Sequence, residues 1–205
     1  MNRAATHLIL ASTNLGKIRE FREFFQHIPG IDLTSLLNYP HYHAPEEGVV
    51  SFKENAEKKA LHAAQMLKQW VIADDSGLVV PALDGAPGVC SARYSGNEAT
   101  DAENRQMLLM AMAEFEGIER HAYFECCLCL AEPAGIKKTV VGICEGFVSH
   151  QEEGSNGFGY DSVFIKHGYD KTFAALAEST KNRVSHRWKA LEKMLPALET
   201  IATIS

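Results

Sequence analysis

The chain has 205 residues, of which 46% are hydrophobic and 22% are charged, and its formal net charge is −6. This size and composition fit one globular domain, or one domain with two lobes, and exclude a disordered or fibrous chain. The negative charge argues against a nucleic-acid partner, because binding to a phosphate backbone needs a basic surface. A small anionic substrate held by a few clustered cations remains compatible with it.

The N-terminal stretch MNRAATHLILASTN contains one arginine and only a short apolar run. We therefore expect neither a signal peptide nor a membrane span or membrane partner, and a cytoplasmic location. The five cysteines lack the paired spacing of a zinc site, so we predict no zinc and no disulfide. Three of them, in the apolar run FECCLCL, are expected to be buried thiols.

The first half of the chain alternates strands and helices. We predict a strand over residues 7–11, a polar turn over 12–16 and a helix over 17–25, followed by a strand over 31–36. A long loop is expected over residues 38–50. Ser51 and Glu54 form a capping-box pattern that begins an alanine-rich helix reaching about residue 69.

Two apolar runs then flank Asp74-Asp75-Ser76-Gly77, which places the two carboxylates at the end of a buried strand. Thr100 and Glu103 form a second capping box, for a helix to about residue 115.

The second half is expected to contain mostly strands. An antiparallel hairpin is predicted from strands 121–131 and 139–148, and a further strand over 160–165. A helix is expected from about residue 185 to the C-terminus, kinked or divided at Pro196. The whole pattern is mixed α/β.

Four groups of residues are candidates for chemistry. The first is the turn between the first strand and helix, where free N–H groups and the helix dipole favour an anion; an ordinary asparagine-capped turn is the alternative. Its residues are Ser12, Thr13, Asn14, Leu15, Gly16 and Lys17.

The second group is the pair Asp74 and Asp75. Two adjacent buried carboxylates repel each other unless a cation offsets them, and magnesium prefers carboxylate oxygens together with substrate phosphates. A surface turn is the alternative, which the flanking apolar runs weaken. Glu46 or Glu47, in the long loop, could supply a further ligand or be a solvated charge.

The third group is Gly157-Phe158-Gly159-Tyr160-Asp161, in which glycines permit close approach of a ligand and the phenylalanine ring can stack on a base. A plain hairpin with a core phenylalanine is the alternative. The fourth group combines Lys181 with Ser185, His186 and Arg187, which could neutralise phosphates, read a base edge, or form a solvated helix end.

Taken in order, these groups resemble the inosine/xanthosine triphosphate pyrophosphatase family, which removes deaminated purine nucleotides. The matching stretches are ASTNLGK, SFKENAEKKA, ADDSGLVVPALDGAPGVCSARYSG, GFGYDSVF and KNRVSHRWKAL, spread over nearly the whole chain. The resemblance implies an α/β fold with a long curved mixed sheet flanked by helices, and two lobes with an active-site cleft between them. It also implies a single pyrophosphatase domain over residues 1–205, a homodimer and a requirement for Mg²⁺.

The resemblance further implies roles for individual residues. Residues 12–17 and Lys59 would bind phosphate, and Glu47 and Asp75 would hold the metal with support from Asp74. Asp75 matches the proton acceptor, and Ser76 would contact the substrate. The base and sugar would be held by Phe158, Gly159, Tyr160 and Asp161, and the site would be closed by Lys181, His186 and Arg187.

The sequence departs from the family pattern at three positions: Ser162 replaces a usual proline, Cys90 a frequent tyrosine and Pro81 a usual aspartate. Two other functions compete with the one implied. A related pyrophosphatase with another base preference fits the motifs less well, and a catalytically inactive nucleotide sensor would not need the intact Asp74-Asp75 pair.

Overall fold

The structure is a computed structural model that describes residues 5–204. Within them, six strands form one mixed sheet in the order β2-β1-β3-β4-β5-β6. The strands are β1 (Thr6–Leu10), β2 (Ile31–Ser35), β3 (Trp70–Val79), β4 (His121–Glu132), β5 (Gly135–Val148) and β6 (Phe164–Lys166). The helices are α1 (Leu15–Phe25), α2 (Phe52–Leu67), α3 (Asp101–Ala111), α4 (Glu178–Val184) and α5 (His186–Ile204). The predicted α/β class, with helices flanking a mixed sheet, is confirmed.

Strand direction follows from the connections. β1 pairs in parallel with β2, where Thr6 lies opposite Ile31, and with β3, where Leu8 lies opposite Trp70. Helices α1 and α2 supply the long connections that parallel strands require. β4 and β5 are sheet neighbours joined by only two residues, so the predicted hairpin is confirmed, and β6 pairs antiparallel with β5.

The chain divides into two compact units. Unit 1 runs up to Asp75 and also includes Cys127–Gly142 and the chain from Trp188 onward, whereas unit 2 comprises Ser76–Cys126 and Ile143–Arg187. In unit 1, β1 is fully buried at three successive apolar residues, and α2 buries a stripe of small side chains, which are Ala56, Ala60, Ala63 and Ala64. That spacing is the buried face of an amphipathic helix.

Unit 2 has an apolar core of its own, in which Phe124, Phe164 and Phe173 pack with ring centroids 4.7 to 6.1 Å apart. Gly146 lies where β5 meets β6, and a Cβ there would stand 2.2 Å from the carbonyl oxygen of Ile165. Only glycine therefore permits this close approach of the two strands.

Several predicted elements need correction. The Asp74-Asp75-Ser76-Gly77 stretch does not follow the end of a strand, because β3 continues through it as one ten-residue strand. The strand predicted over 160–165 is limited to β6, since residues 161–163 form a short 3-10 helix. Pro196 lies inside α5 without dividing it, and the separate helix α4 was not predicted.

The thiols of Cys126, Cys127 and Cys129 are fully buried, as predicted. Burial raises the pKa of the Cys129 thiol to about 11, which keeps it protonated and unreactive at neutral pH. No helix within residues 5–204 is long and apolar enough to cross a bilayer.

Arg120 organises unit 2 through backbone carbonyls. It is 4% exposed, and burial lowers the pKa of its guanidinium, against the opposing effect of Glu116. Its nitrogens donate to the carbonyl oxygens of Val148 at 2.8 Å, Met112 at 2.7 Å, Phe115 at 3.1 Å and Ser149 at 2.6 Å. The Arg120 guanidinium thus links the end of α3 to the end of β5.

We predict that Arg120→Lys lowers the free energy of unfolding by about 2 kcal/mol, because a single ammonium cannot reach four carbonyls placed for a planar fork. Urea unfolding measures the loss, with Arg22→Lys on an exposed face of α1 as the matched control. Equal stability of the two variants would contradict this role.

Candidate functional site

The two central carboxylates lie side by side inside β3. Asp74 is 2% exposed and Asp75 is 7% exposed. Successive residues of a strand point to opposite faces, and each carboxylate has its own lysine: Lys17 Nζ lies 3.0 Å from Asp74 Oδ2, and Lys59 Nζ lies 3.0 Å from Asp75 Oδ1. These two lysines offset the repulsion between the adjacent carboxylates.

Lys17 lies in the first turn of α1, directly after the 12–16 segment. Asn14 caps this helix, since its Oδ1 accepts from the backbone N–H of Lys17 at 3.0 Å, and Ser12 Oγ accepts from the N–H of Asn14 at 3.2 Å. Thr13, Asn14 and Leu15 are exposed, Leu15 by 69%. The turn is therefore an asparagine cap that also presents a lysine to the buried carboxylate.

Lys59 and Asn55 reach Asp75 from the same face of α2, because residues four apart on a helix are neighbours. Asn55 Nδ2 donates to Asp75 Oδ2 at 3.0 Å, so both carboxylate oxygens are occupied. Asn55 is a site residue that our sequence analysis missed. Its signal was a polar side chain one turn before Lys59 on the buried face of the helix.

Asn55 also fixes the end of the long loop. Its Oδ1 accepts from the N–H of Gly48 at 2.8 Å, and its Nδ2 lies 3.2 Å from the Gly48 carbonyl oxygen. The adjacent Glu47 places its Oε1 atom 2.9 Å from Lys59 Nζ. Glu46 instead offers its backbone carbonyl, to Lys58. The side chain of Glu47 therefore faces this cluster.

The surroundings raise the pKa of both Lys59 and Asp75. Burial raises the pKa of the Asp75 carboxyl, and the opposing effects of Lys59 and Asn55 do not cancel this rise. Burial alone would lower the pKa of Lys59, but the attraction of Asp75, Asp74 and Glu47 outweighs it and the pKa is raised. The cluster thus combines a permanent cation with a carboxylate of increased basicity.

The donor set of this cluster fits a hard cation. Glu47 Oε1 and Asp75 Oδ1 converge on one ammonium nitrogen, at 2.9 and 3.0 Å. Oxygens of this kind suit Mg²⁺, which takes one or two carboxylates and completes its shell with water and phosphate. Within residues 5–204 no group of three or more histidine, cysteine or acidic side chains forms a ready-made metal cage.

In unit 2, the 157–161 turn folds around Asp161, which is 4% exposed. Asp161 Oδ2 accepts from the N–H of Phe158 at 3.0 Å. Gly157 has φ +80°, and a Cβ there would stand 2.1 Å from that same oxygen. Gly159 has φ +58°. The two glycines allow a tight turn that other residues would strain.

Two cationic side chains, Lys181 and Arg187, lie close to the ring of Phe158. Lys181 Nζ pairs with Asp161 Oδ2 at 3.0 Å and lies 5.1 Å from the ring centroid. The guanidinium carbon of Arg187 lies 5.7 Å from the same centroid, and Arg187 donates to Ser76 Oγ at 2.9 Å. These distances are in the range of cation–π attraction. They make the ring part of a cationic cluster rather than of a purely apolar core.

His186 stands at the start of α5 and is 5% exposed. Its ring stacks on Phe124, with centroids 4.6 Å apart and planes 12° apart. Tyr160 is 4% exposed, its hydroxyl donates to the carbonyl oxygen of Ser91 at 2.9 Å, and burial raises its pKa. Both side chains are therefore rigidly placed.

The predicted site residues fall into two sets. In unit 1 the structure brings together the Lys17 end of the 12–17 turn, Glu47, Lys59, Asp74 and Asp75. In unit 2 it brings together Ser76, Phe158, Asp161, Lys181 and Arg187, with Gly159, Tyr160 and His186 beside them. The peptide bond between Asp75 and Ser76 joins the two sets along the chain. The 12–15 segment contacts the unit 1 set through Asn14, whose Oδ1 accepts from the N–H of Lys17.

Known proteins resemble this chain over nearly its whole length. A dITP/XTP pyrophosphatase of Protochlamydia amoebophila (strain UWE25) is 52% identical over 195 residues, covering 95% of this chain and 98% of that protein. One of Chlamydia abortus (strain DSM 27085 / S26/3) is 50% identical, covering 95% of each. The solved structure of a HAM1 protein from Coxiella burnetii superposes with a TM-score of 0.85 at 36% identity, covering 95% of this chain and 99% of that one.

The family model described as the Ham1 family matches residues 8–197, a span that includes both sets of site residues. The resemblance found from the sequence motifs is therefore confirmed at the level of the family. The chain belongs to the Ham1 family.

Proposed function

We propose that this protein hydrolyses non-canonical purine nucleoside triphosphates, namely ITP, dITP and XTP, to the nucleoside monophosphate and pyrophosphate. Relatives about half identical over nearly the whole chain carry the name dITP/XTP pyrophosphatase, which supports the reaction and the substrate class. The observation that carries the proposal is the buried Asp75 carboxylate, held by Lys59 and Asn55 beside the Asp74–Lys17 pair. Hydrolysis of these triphosphates would keep deaminated purines out of DNA and RNA.

In this reaction a water oxygen bonds to the α-phosphorus, and the bond from that phosphorus to the α–β bridging oxygen breaks. Asp75 is proposed to accept a proton from the attacking water. The electron pair of the broken bond leaves with pyrophosphate. Lys17 and Lys59 are proposed to stabilise the growing negative charge on that group, with assistance from Lys181.

Mg²⁺ is the proposed cofactor, and when bound it neutralises phosphate charge and lowers the pKa of a bound water. Asp75 and Glu47 would hold it, because their oxygens already converge on one cation, and Asp74 would support them from within β3. Asn55 fixes one oxygen of Asp75 and orients the other, so it would set the direction of the metal-binding oxygen.

The unit 2 set is proposed to bind the base and sugar. A 6-keto purine presents an acceptor where adenine presents a donor, so donors from Arg187 and His186 favour hypoxanthine or xanthine. Phe158 would stack on the base and Ser76 would contact the substrate, while the 157–161 turn would hold the sugar. Arg187 is 2% exposed and fixed on Ser76, and a buried fixed donor discriminates strongly against a mismatched base.

A cytoplasmic location and a homodimer, with no nucleic-acid or membrane partner, belong to the same proposal. The negative net charge argues against a nucleic-acid partner, and the family resemblance supports the other parts. Residues 1–205 are proposed to form a single pyrophosphatase domain that contains both units.

The first test is pyrophosphate release from ITP, dITP, XTP, GTP, ATP and CTP, with Mg²⁺ and with a chelator. We expect turnover of the first three at least about 100-fold more efficient than of ATP, since a buried donor mismatched with adenine costs about 3 kcal/mol. The chelator should abolish turnover and added Mg²⁺ should restore it. Equal rates on all six nucleotides would reject the specificity, and no release from any would reject the reaction.

Asp75→Asn keeps the shape of the side chain and removes its basicity. We expect kcat for ITP to fall by about 10³-fold, the usual size of a general-base contribution. Asp32→Asn, at an exposed aspartate of β2, is the matched control and should keep full activity. A folded Asp75→Asn protein with normal kcat would remove Asp75 from the proposed role.

Arg187→Ala should lower kcat/KM for ITP by about 100-fold and for ATP by less than about threefold, because only the 6-keto group accepts its hydrogen bond. Arg183→Ala, at an exposed arginine near the end of α4, serves as the matched control. If the ratio of ITP to ATP efficiency is the same in both variants, another group reads the base.

A further inference from the structure

Two side chains of helix α3 form hydrogen bonds with the 157–161 turn. Gly159 donates its N–H to Asp101 Oδ2 at 2.7 Å, and its carbonyl oxygen accepts from an Arg105 terminal nitrogen at 3.0 Å. Asp101 and Arg105 are four residues apart and so lie on one face of α3. Both polar groups of the residue that follows Phe158 are thus bound by side chains of one rigid helix.

Arg105 is itself fixed by a second contact. Its Nε donates to Glu152 Oε2 at 2.7 Å, and that same oxygen accepts from Ser162 Oγ at 2.9 Å. Glu152 precedes the turn and Ser162 follows it, so the two ends of the segment meet at one carboxylate oxygen. These side chains line a cavity of about 250 Å³, and each of them is already bonded to another member of the group.

The segment needs such support because of its composition. Residues 152–161, EEGSNGFGYD, include Gly154, Gly157 and Gly159, all with positive φ. Glycine has the largest loss of backbone freedom on ordering, so a loop with three of them is not held by its own conformational preference. The opposite side of the loop is tied by Thr172, which donates to the Glu153 carbonyl oxygen at 2.6 Å.

Helix α3 is itself held in place by hydrogen bonds. Thr100 and Glu103 form the predicted capping box at its start. Asn104 Nδ2 donates to the carbonyl oxygen of Ala92, and its Oδ1 accepts from the N–H of Ser95. The helix that presents Asp101 and Arg105 is therefore fixed at its N-terminus and on its buried face.

We propose that Asp101, Arg105 and Glu152 are positioning residues that hold the 157–161 turn, and through it the Phe158 ring, for recognition of the base. The inference rests on the proposed function, because it assigns the effect to the residue that would stack on the base. All three would act through the turn that they hold. Without these residues, the turn would leave the conformation that binds the substrate for part of the time. The apparent affinity for the substrate is then reduced in proportion to the fraction of protein that remains in that conformation.

Steady-state hydrolysis of ITP by the full chain tests this. Arg105→Met and Asp101→Ala should each raise KM for ITP about tenfold with kcat changed less than about twofold. Asp101→Asn retains an acceptor for the Gly159 N–H and should restore most of the loss. Gln106→Met, at the next and exposed position of α3, is the matched control and should keep the wild-type KM.

Coupling to Phe158 separates positioning from general destabilisation. In a Phe158→Ala background, which itself should raise KM, Arg105→Met should raise KM by clearly less than tenfold, because the ring it positions is gone. A tenfold effect that persists in that background overturns the inference, as does an unchanged KM in Arg105→Met. A fall in the kcat of Arg105→Met together with a lowered melting temperature also overturns the inference, because it indicates a merely structural role for Arg105.

Failure of this inference is distinguishable from failure of the proposed function. Absence of ITP hydrolysis by the wild-type protein rejects the function itself. Wild-type hydrolysis whose KM responds to Phe158→Ala but not to Arg105→Met keeps the function and rejects the positioning role.

Discussion

The constraint on which the proposed chemistry depends is the burial of two consecutive carboxylates inside a central strand. A buried, uncompensated carboxylate is too costly to keep ionised, so β3 can carry Asp74 and Asp75 only if a cation reaches each one. Lys17 and Lys59 do so from two different helices. The positions of α1 and α2 against the sheet, and of the loop that carries Glu47, are tied to this requirement.

Unit 2 meets a different constraint, which is to order a glycine-rich turn. Its glycines supply flexibility, and its order comes from the Asp161 side chain inside the turn and from Asp101 and Arg105 on α3. Charge again decides the arrangement, since Lys181 is held by Asp161 close to the Phe158 ring. The Phe158 ring thereby has two cations close to it.

Features encoded by neighbouring residues were predictable from the sequence, and features decided by distant contacts were not. The caps at Ser51 and Thr100 are local, and both helices begin where predicted. The Asp-Asp-Ser-Gly stretch has turn-forming composition, yet it is strand, because lysines from other elements stabilise its carboxylates. Asn55 was missed for the same reason, since its partner Asp75 lies 20 residues away.

The ion pairs of unit 1 also suggest how the proposed substrate would be accommodated. A magnesium–triphosphate complex carries both a cation that suits Asp75 and Glu47 and anionic oxygens that suit Lys17 and Lys59. Binding would exchange one set of ion pairs for another, so no charge would have to be buried without a partner. The charge on Lys59 is secured by the three carboxylates around it, and phosphate oxygens would secure it equally. In the proposed reaction, the lysines that neutralise the buried carboxylates would also stabilise the leaving group, so folding and catalysis would place the same demand on these residues.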